Sequence, residues 1–458
     1  MFGKMRRVHF VGIGGIGMSG IAEVLLNLGF EVSGSDIRTS HTTTRLQSLG
    51  CRFVARHSAE NVANADVVVV SSAITRDNIE VERAHQLQIP VIRRAEMLGE
   101  LMRLKYAVTV AGSHGKTTTT SMISVLLHHC GLDPTIVIGG RLNIFGSNAR
   151  LGQGPLLVAE ADESDGSFLK LFPTIAVITN IDAEHMDFYG TMDDLKQTFL
   201  DYINRIPFYG LAILCLDDAN VQSVIPRIER RYITYGFSKS ADLTAEILAQ
   251  EGGGSHFRAI YQNRDLGEFH LQVPGTYNIL NSLSAIATGL ELSLPVPQIQ
   301  AGLQAYEGVD RRFQLLGEVG GVRVIDDYGH HPTEIRVTLE AARALSPRRV
   351  VAVFQPHRYS RVQSLWEQFS TAFFNADLLF CTEIYPAGEK PRADITGEGL
   401  YQSIRAHGHK QVYFEPDFHR LAAQITDRAA PGDMIITFGA GNIHEVGQLV
   451  LDRLKKEA

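Results

Sequence analysis

The chain has 458 residues, enough for about three domains of ordinary size, and its 45% hydrophobic and 20% charged content excludes a disordered or fibrous protein. Basic residues number 43 against 50 acidic ones, a formal net charge of −7, so no overall field favours nucleic acid and any anionic ligand must be held by local basic sites. Four scattered cysteines without a CxxC pair fit a reducing compartment, and no apolar run reaches about 18 residues; the expectation is a cytoplasmic protein with no membrane span and no thiolate metal centre.

The opening MFGKMRRVHFVGIGGIG pairs basic residues with an apolar stretch, but its glycines and the missing cleavage site read as a strand entering a turn. Short β-branched runs at 8–13, 31–35, 67–71 and 90–92 then alternate with helix-period segments such as 19–28, the pattern of a parallel α/β sheet. A helical stretch at 94–104 precedes a strand at 106–111, which sets a boundary near 104. Strands follow at 155–159, 174–179 and 211–215, and the Gly-rich polar region 250–267 reads as hairpins on a sheet edge. A helix at 278–290 and a Pro- and Gly-containing stretch lead to Arg311. Beyond it, strands at 322–326, 349–354 and 434–438 alternate with helices. The expected fold is α/β in three domains: a Rossmann-like N-terminal domain at 1–104, a central P-loop ATPase-like domain with a mixed sheet at 105–310, and a Rossmann-like C-terminal domain at 311–458.

Gly12, Gly14 and Gly17 fit G-x-G-x-x-G directly after a strand, and Asp36 ends the next strand at the spacing of a ribose-binding carboxylate. Taken alone this suggests NAD and a dehydrogenase. The extra glycines of Gly14-Gly15-Ile16-Gly17 leave another diphosphate, such as a UDP-sugar, open. The strongest signal is Gly112-Ser113-His114-Gly115-Lys116-Thr117-Thr118 between a strand and a helix. Backbone N–H groups of such a loop cradle phosphates, Lys116 reaches their oxygens, and the Thr117 hydroxyl suits Mg²⁺. Only two residues separate Gly112 from Gly115, so the match to the general ATPase loop is imperfect.

Four carboxylates follow in Glu160-Ala161-Asp162-Glu163-Ser164-Asp165 at a strand end; Glu160 is the expected Mg²⁺ ligand and the other three read as a solvated acidic loop. His185, after the next strand, offers a second metal position. Asn278 could read an adenine, and an arginine of Asp310-Arg311-Arg312 could meet phosphates. The third domain supplies Asp326-Asp327-Tyr328-Gly329-His330-His331 after one strand and His357-Arg358-Tyr359-Ser360-Arg361 after the next, where two arginines three apart suit capture of a carboxylate or phosphate.

In this order, the loop Gly112 to Thr120, the run Glu160 to Asp165, the run Asp326 to Pro332 and the run Pro356 to Arg361 resemble the motifs of the Mur ligases of peptidoglycan synthesis, over nearly the whole chain. The alanine-adding branch is the most similar. The resemblance implies that L-alanine is joined to the lactyl carboxylate of UDP-N-acetylmuramate through an acyl phosphate, with ATP and Mg²⁺ as cofactors. It assigns the sugar nucleotide to the first domain, with Gly14, Gly15, Ile16, Gly17, Asp36, Ser71 and Ser72, and not NAD. ATP falls to Gly112 through Thr118 with Asn278, Arg312 and Asp326, and magnesium to Thr117, Glu160 and His185. Tyr328, His330, His357, Arg358 and Arg361 are implied for substrate, and Lys116, His185 and Arg358 for catalysis. Later-acting members carry a lysine, modified to a carbamate, 14 or 15 residues after the histidine matching His185; Phe199 and Leu200 stand there, so no carbamate is expected. A salvage ligase adding a preformed peptide to the same sugar nucleotide is the alternative. Neither nucleic acid nor membrane is an expected partner, and the expected assembly is a monomer or weak homodimer.

Overall fold

A computed structural model describes residues 5–71, 73–142, 147–250 and 253–457. The chain forms two compact units, one of Met1–Glu246, Arg258–Phe269 and Leu280–Glu307, the other of Ile247–Phe257, His270–Ile279 and Gly308–Ala458. Among the described residues no helix is long and apolar enough to cross a membrane.

The chain opens with β1 (Arg7–Val11), α1 (Ile16–Asn27), β2 (Glu31–Ser35), α2 (His41–Ser48), β3 (Arg52–Val54), β4 (Val67–Val70), α3 (Ile79–Gln86), β5 (Val91–Arg93) and α4 (Arg94–Met102). The five strands form an all-parallel sheet in the order β3-β2-β1-β4-β5. All four valines of β4 are buried, as a strand covered on both faces requires. The strand order reverses between β1 and β4, so the glycine turn after β1 lies at the switch point where open α/β sheets receive ligands.

Next come β6 (Tyr106–Ala111), α5 (Lys116–His129), β7 (Thr135–Leu142), β8 (Ser147–Arg150), β9 (Leu156–Glu160), β10 (Ile175–Ile178), α6 (Met186–Tyr189), α7 (Met192–Ile203), β11 (Leu211–Cys215), α8 (Ala219–Val224), β12 (Tyr232–Gly236), β13 (Leu243–Ala249), β14 (Ser255–Tyr261), β15 (Arg264–Leu271), α9 (Thr276–Glu291) and α10 (Val296–Gln304). Their sheet runs β15-β14-β13-β12-β11-β10-β6-β9-β7-β8. It is mixed, since β8 pairs antiparallel with β7 while β6 is parallel to both β9 and β10. The loops after β6, β9 and β10 therefore leave adjacent strand ends together. Phe199 and Leu200 lie buried on α7, the Phe199 ring edge-on to Phe168 at 5.3 Å.

The last sheet holds β16 (Gln314–Val319), β17 (Val322–Asp327), β18 (Arg349–Phe354), β19 (Leu378–Cys381), β20 (Val412–Phe414) and β21 (Asp433–Phe438), with α11 (Pro332–Ala344), α12 (Tyr359–Ser364), α13 (Trp366–Ser370), α14 (Gly397–Ala406), α15 (Phe418–Thr426) and α16 (His444–Glu457). Its order is β16-β17-β21-β18-β19-β20, parallel except for β16. Sequence patterning missed β3, the β7–β8 pair, β12, β13, β16, β19 and β20.

Candidate functional site

The glycine turn is held by the end of β2. Gly12 N–H and Ile13 N–H donate to the Ser35 carbonyl at 2.9 and 3.1 Å, and Gly14 N–H donates to Asp36 Oδ2 at 2.8 Å. Ser71 Oγ stands 3.1 Å from where a Cβ on Gly12 would be. Gly14, Gly15, Gly17, Asp36 and Ser71 are thus brought together at one sheet edge, and Ile16 opens α1; Ser72 lies outside the described residues. Asp36 braces the turn, a use that the ribose spacing does not reveal. Beneath it lies the fully buried Glu80, which accepts hydrogen bonds from Ser35 Oγ at 2.5 Å and Asn61 Nδ2 at 2.5 Å and sits 2.9 Å from His57 Nδ1. Burial alone raises a carboxyl, but bonds from His9, Ser35, Asn61 and His57 outweigh it and hold Glu80 down at about 2.

The phosphate-type loop follows β6. Gly112 has φ +137°, and a Cβ there would run into Thr179 Oγ1, so only glycine fits. The loop is tied to the end of β10: His114 N–H donates to Asn180 Oδ1 at 2.8 Å, Thr179 Oγ1 donates to the His114 carbonyl at 2.6 Å, and Asp182 N–H donates to Ser113 Oγ at 2.8 Å. His114 Nε2 lies 2.9 Å from Asp182 Oδ2. Gly115 caps α5, so Lys116, Thr117 and Thr118 form its first turn. Lys116 Nζ donates to the carbonyls of Gly112 at 2.5 Å and Ser113 at 3.1 Å and to Glu163 Oε1 at 2.9 Å.

That contact corrects the solvated-loop expectation for Glu163, which is 1% exposed. Burial pushes its carboxyl up to about 7 against the pull of Lys116. Lys116 is lowered by its own burial and raised by Glu163, the net direction being up. Glu160 ends β9 in register with Val110 of β6. His185, at φ +56°, precedes α6, and its ring nitrogen lies with carboxylate oxygens of Glu163 and Glu184 so that all three are within 4.8 Å of one another. This set of hard oxygens and one imidazole at the loop's edge suits a divalent cation. Spacing alone could not select Glu163 or Glu184 from their acidic neighbours.

In the second unit, Asn278 Nδ2 donates to the Pro274 carbonyl at 2.7 Å, while its buried Oδ1 has no hydrogen-bond partner among the described residues, as an acceptor reserved for a ligand amine would be. Asp326 is spent internally: its oxygens accept from Arg311 Nε at 2.9 Å and Thr437 Oγ1 at 2.6 Å. The Tyr328 ring meets both Arg311 and Arg312, 5.0 and 5.2 Å away, and Arg312 also approaches Glu334 at 3.8 Å. The His330 ring lies 5.4 Å from Tyr328 and 5.7 Å from His357, whose ring is parallel to Tyr385 at 5.6 Å. Burial, then the charges of His330, Arg361 and Arg358, hold His357 down at about 3, so it is neutral at physiological pH. Arg361 Nη1 is 3.2 Å from His357 Nδ1, and Arg358, at φ +67°, donates to Glu389 at 2.8 Å. Tyr328, His330, His357, Arg358 and Arg361 thus gather at the ends of β17 and β18. Glu389 and Tyr385, which no motif marked, complete the cluster.

Comparison with known proteins agrees along the chain. Residues 7–106 match the Mur ligase family catalytic domain, 110–289 the Mur ligase middle domain, and 311–441 the Mur ligase glutamate ligase domain. The chain is 56% identical over 455 residues to a UDP-N-acetylmuramate–L-alanine ligase of Geotalea uraniireducens, covering 99% of each, and 55% identical over 458 residues to that of Geobacter sulfurreducens, covering 100% of this chain and 99% of the relative. The crystal structure of UDP-N-acetylmuramate–alanine ligase from Thermotoga maritima superimposes with a TM-score of 0.83 at 29% identity, covering 99% of this chain and all of the other. A murein peptide ligase from Psychrobacter arcticus shares the fold, with a TM-score of 0.71 at 24% identity over 98% of both chains.

Proposed function

The chain belongs to the Mur ligase family, and from that premise we propose that it joins L-alanine to the lactyl carboxylate of UDP-N-acetylmuramate with consumption of ATP, giving UDP-N-acetylmuramoyl-L-alanine, ADP and phosphate in peptidoglycan precursor synthesis. The observation that carries it is 56% identity over 99% of both chains to a ligase of that name. In the proposed division of labour, residues 1–104 bind the sugar nucleotide, 105–310 bind ATP and 311–458 bind the amino acid.

The lactyl carboxylate attacks the γ-phosphorus, ADP leaves, and an acyl phosphate forms; the alanine amine then attacks the acyl carbon and phosphate departs. Lys116 exchanges the carbonyls of Gly112 and Ser113 for phosphate oxygens, and Gly112 through Thr118 supply the backbone N–H cradle. Thr117, Glu160 and His185 would hold Mg²⁺, with Glu163 and Glu184 beside His185. When bound, that ion neutralises charge on the transferring phosphoryl group. The orphan Asn278 oxygen favours an adenine amine. Arg358, Arg361, Tyr328, His330 and His357 form a cationic and aromatic pocket suited to carboxylate and phosphate groups, with Arg312 for the nucleotide. Asp326 serves by orienting Arg311.

The test is phosphate release with UDP-N-acetylmuramate, MgATP and a panel of free amino acids and a tripeptide. Release with alanine and none with the tripeptide is expected. Release with the tripeptide alone would favour the salvage reaction.

A further inference from the structure

Arg94 opens α4, directly after the first sheet, yet its side chain faces two places that the reaction must link. Its Nη1 lies 2.8 Å from where a Cβ on Gly17 would stand, beside the first turn of α1. That turn has no acidic residue and no side-chain cap, and the positive end of a helix dipole left in this way suits an anion. On the other side, Arg94 Nη2 donates to Asp162 Oδ2 at 3.2 Å, while Asp162 Oδ1 accepts from Ser164 N–H at 3.1 Å. Asp162 sits between Glu160 and Glu163 in the run of carboxylates, and Glu163 is the partner of Lys116.

The rest of α4 is clamped to the segment that follows that run. Lys170 Nζ lies 3.7 Å from Glu96, the Arg103 guanidinium covers the Phe172 ring at 4.1 Å, and Gly99 approaches so closely that a Cβ would stand 2.5 Å from the Lys170 carbonyl. The helix is therefore fixed to the segment just after the acidic run, with the Arg94 guanidinium at its N-terminal end between the glycine turn and Asp162.

We propose that Arg94 is a ligand for the diphosphate of the sugar nucleotide, and that it takes up that diphosphate by giving up Asp162, so that occupancy of the glycine turn is transmitted to the carboxylates facing Lys116. The proposal rests on the sugar-nucleotide reading of the first domain. A planar, permanently charged fork can hold one carboxylate oxygen or two phosphate oxygens, and the doubly charged group wins the exchange. Asp162, released, leaves the run free to adjust around an incoming nucleotide triphosphate. Coupling of this kind is reciprocal: whatever the sugar nucleotide does to ATP affinity, ATP does in return.

The test is calorimetric titration of the full-length protein with UDP and with uridine, for the wild type, Arg94→Ala, Arg94→Lys and Asp162→Asn. Loss of charged hydrogen bonds to a phosphate predicts about ten- to hundredfold weaker UDP binding in Arg94→Ala with uridine affinity nearly unchanged. Arg94→Lys, which keeps the charge and the helix start, should fall between. Asp162→Asn should bind UDP more tightly, because the competing carboxylate is gone. UDP should also change ADP affinity in the wild type and lose that effect in Arg94→Ala. Equal UDP affinity in the wild type and Arg94→Ala, or an equal loss of UDP and uridine, overturns the diphosphate contact. Unchanged UDP affinity in Asp162→Asn overturns the exchange, and an ADP effect absent from the wild type or equal in both overturns the link. No UDP binding by the wild type would instead defeat the reading of the first domain itself.

Discussion

Lys116 and Glu163 form the contact around which the phosphate loop is organised, and they are 47 residues apart in the chain. The loop itself was legible in the sequence because glycine conformation and the lysine spacing are local properties. Its partner was not: Glu163 shares its composition with three neighbouring carboxylates, and only the fold chooses which of them is buried. Replacing Lys116 by Ala should abolish turnover while UDP-sugar affinity stays within about twofold, because the lysine serves another sheet. Calorimetry showing both lost together would contradict this. Arg358→Ala and Arg361→Ala should raise KM for alanine or the sugar nucleotide far more than KM for ATP, and steady-state kinetics on the two variants decide it. Glu80 makes a pH-dependent case. Its folded value, about 2 against an ordinary 4.5, is depressed, so its contribution is present above pH 4.5 and lost as pH falls through about 2. The difference corresponds to roughly 3 kcal/mol. Urea unfolding should show Glu80→Gln less stable than the wild type at pH 6, with the gap closing toward pH 2; a gap independent of pH would refute the assignment.

At the level of elements, alternating β-branched and helix-period runs were enough to find β1, β2, β4, β5, β6, β9, β10, β11, β17, β18 and β21, most of them continuously apolar as strands buried on both faces must be. Edge strands escape that rule. The exposed or half-buried positions of β16 carry no such signal, and the three residues of β3 are too few for any periodicity. Helix α4 was legible as a helix, but nothing in its own sequence says that Gly99 is there to let another backbone pass. Gly99→Ala forces a methyl group against the Lys170 carbonyl and should cost about 1–3 kcal/mol in urea unfolding, with no change in helix content by circular dichroism. An unaltered midpoint would mean that α4 is not clamped as described.

On the scale of the molecule, the glycine turn and the phosphate loop belong to the same compact unit, whereas the cluster around His357 belongs to the other. Ligands that bind only the folded state stabilise the cooperative unit that holds their site. Scanning calorimetry of the full chain should therefore show UDP and MgATP raising the same transition. Separate transitions, each moved by one nucleotide, would show that the first two sheets unfold independently. The grouping was hidden in the sequence, where the helical stretch that precedes a new strand near residue 104 marks a change of sheet and says nothing about which sheets share a core.

The buried ring of Phe199 has a chemical corollary. Where the family resemblance implies an amine in later-acting members, this protein packs an aromatic ring against Phe168, and a charged amine there would lose its water without gaining a partner. No group at that position can capture dissolved carbon dioxide. Turnover should therefore be identical in buffer purged of bicarbonate and in buffer saturated with it, so that the first amino acid can be attached at a rate indifferent to the gas content of the cell.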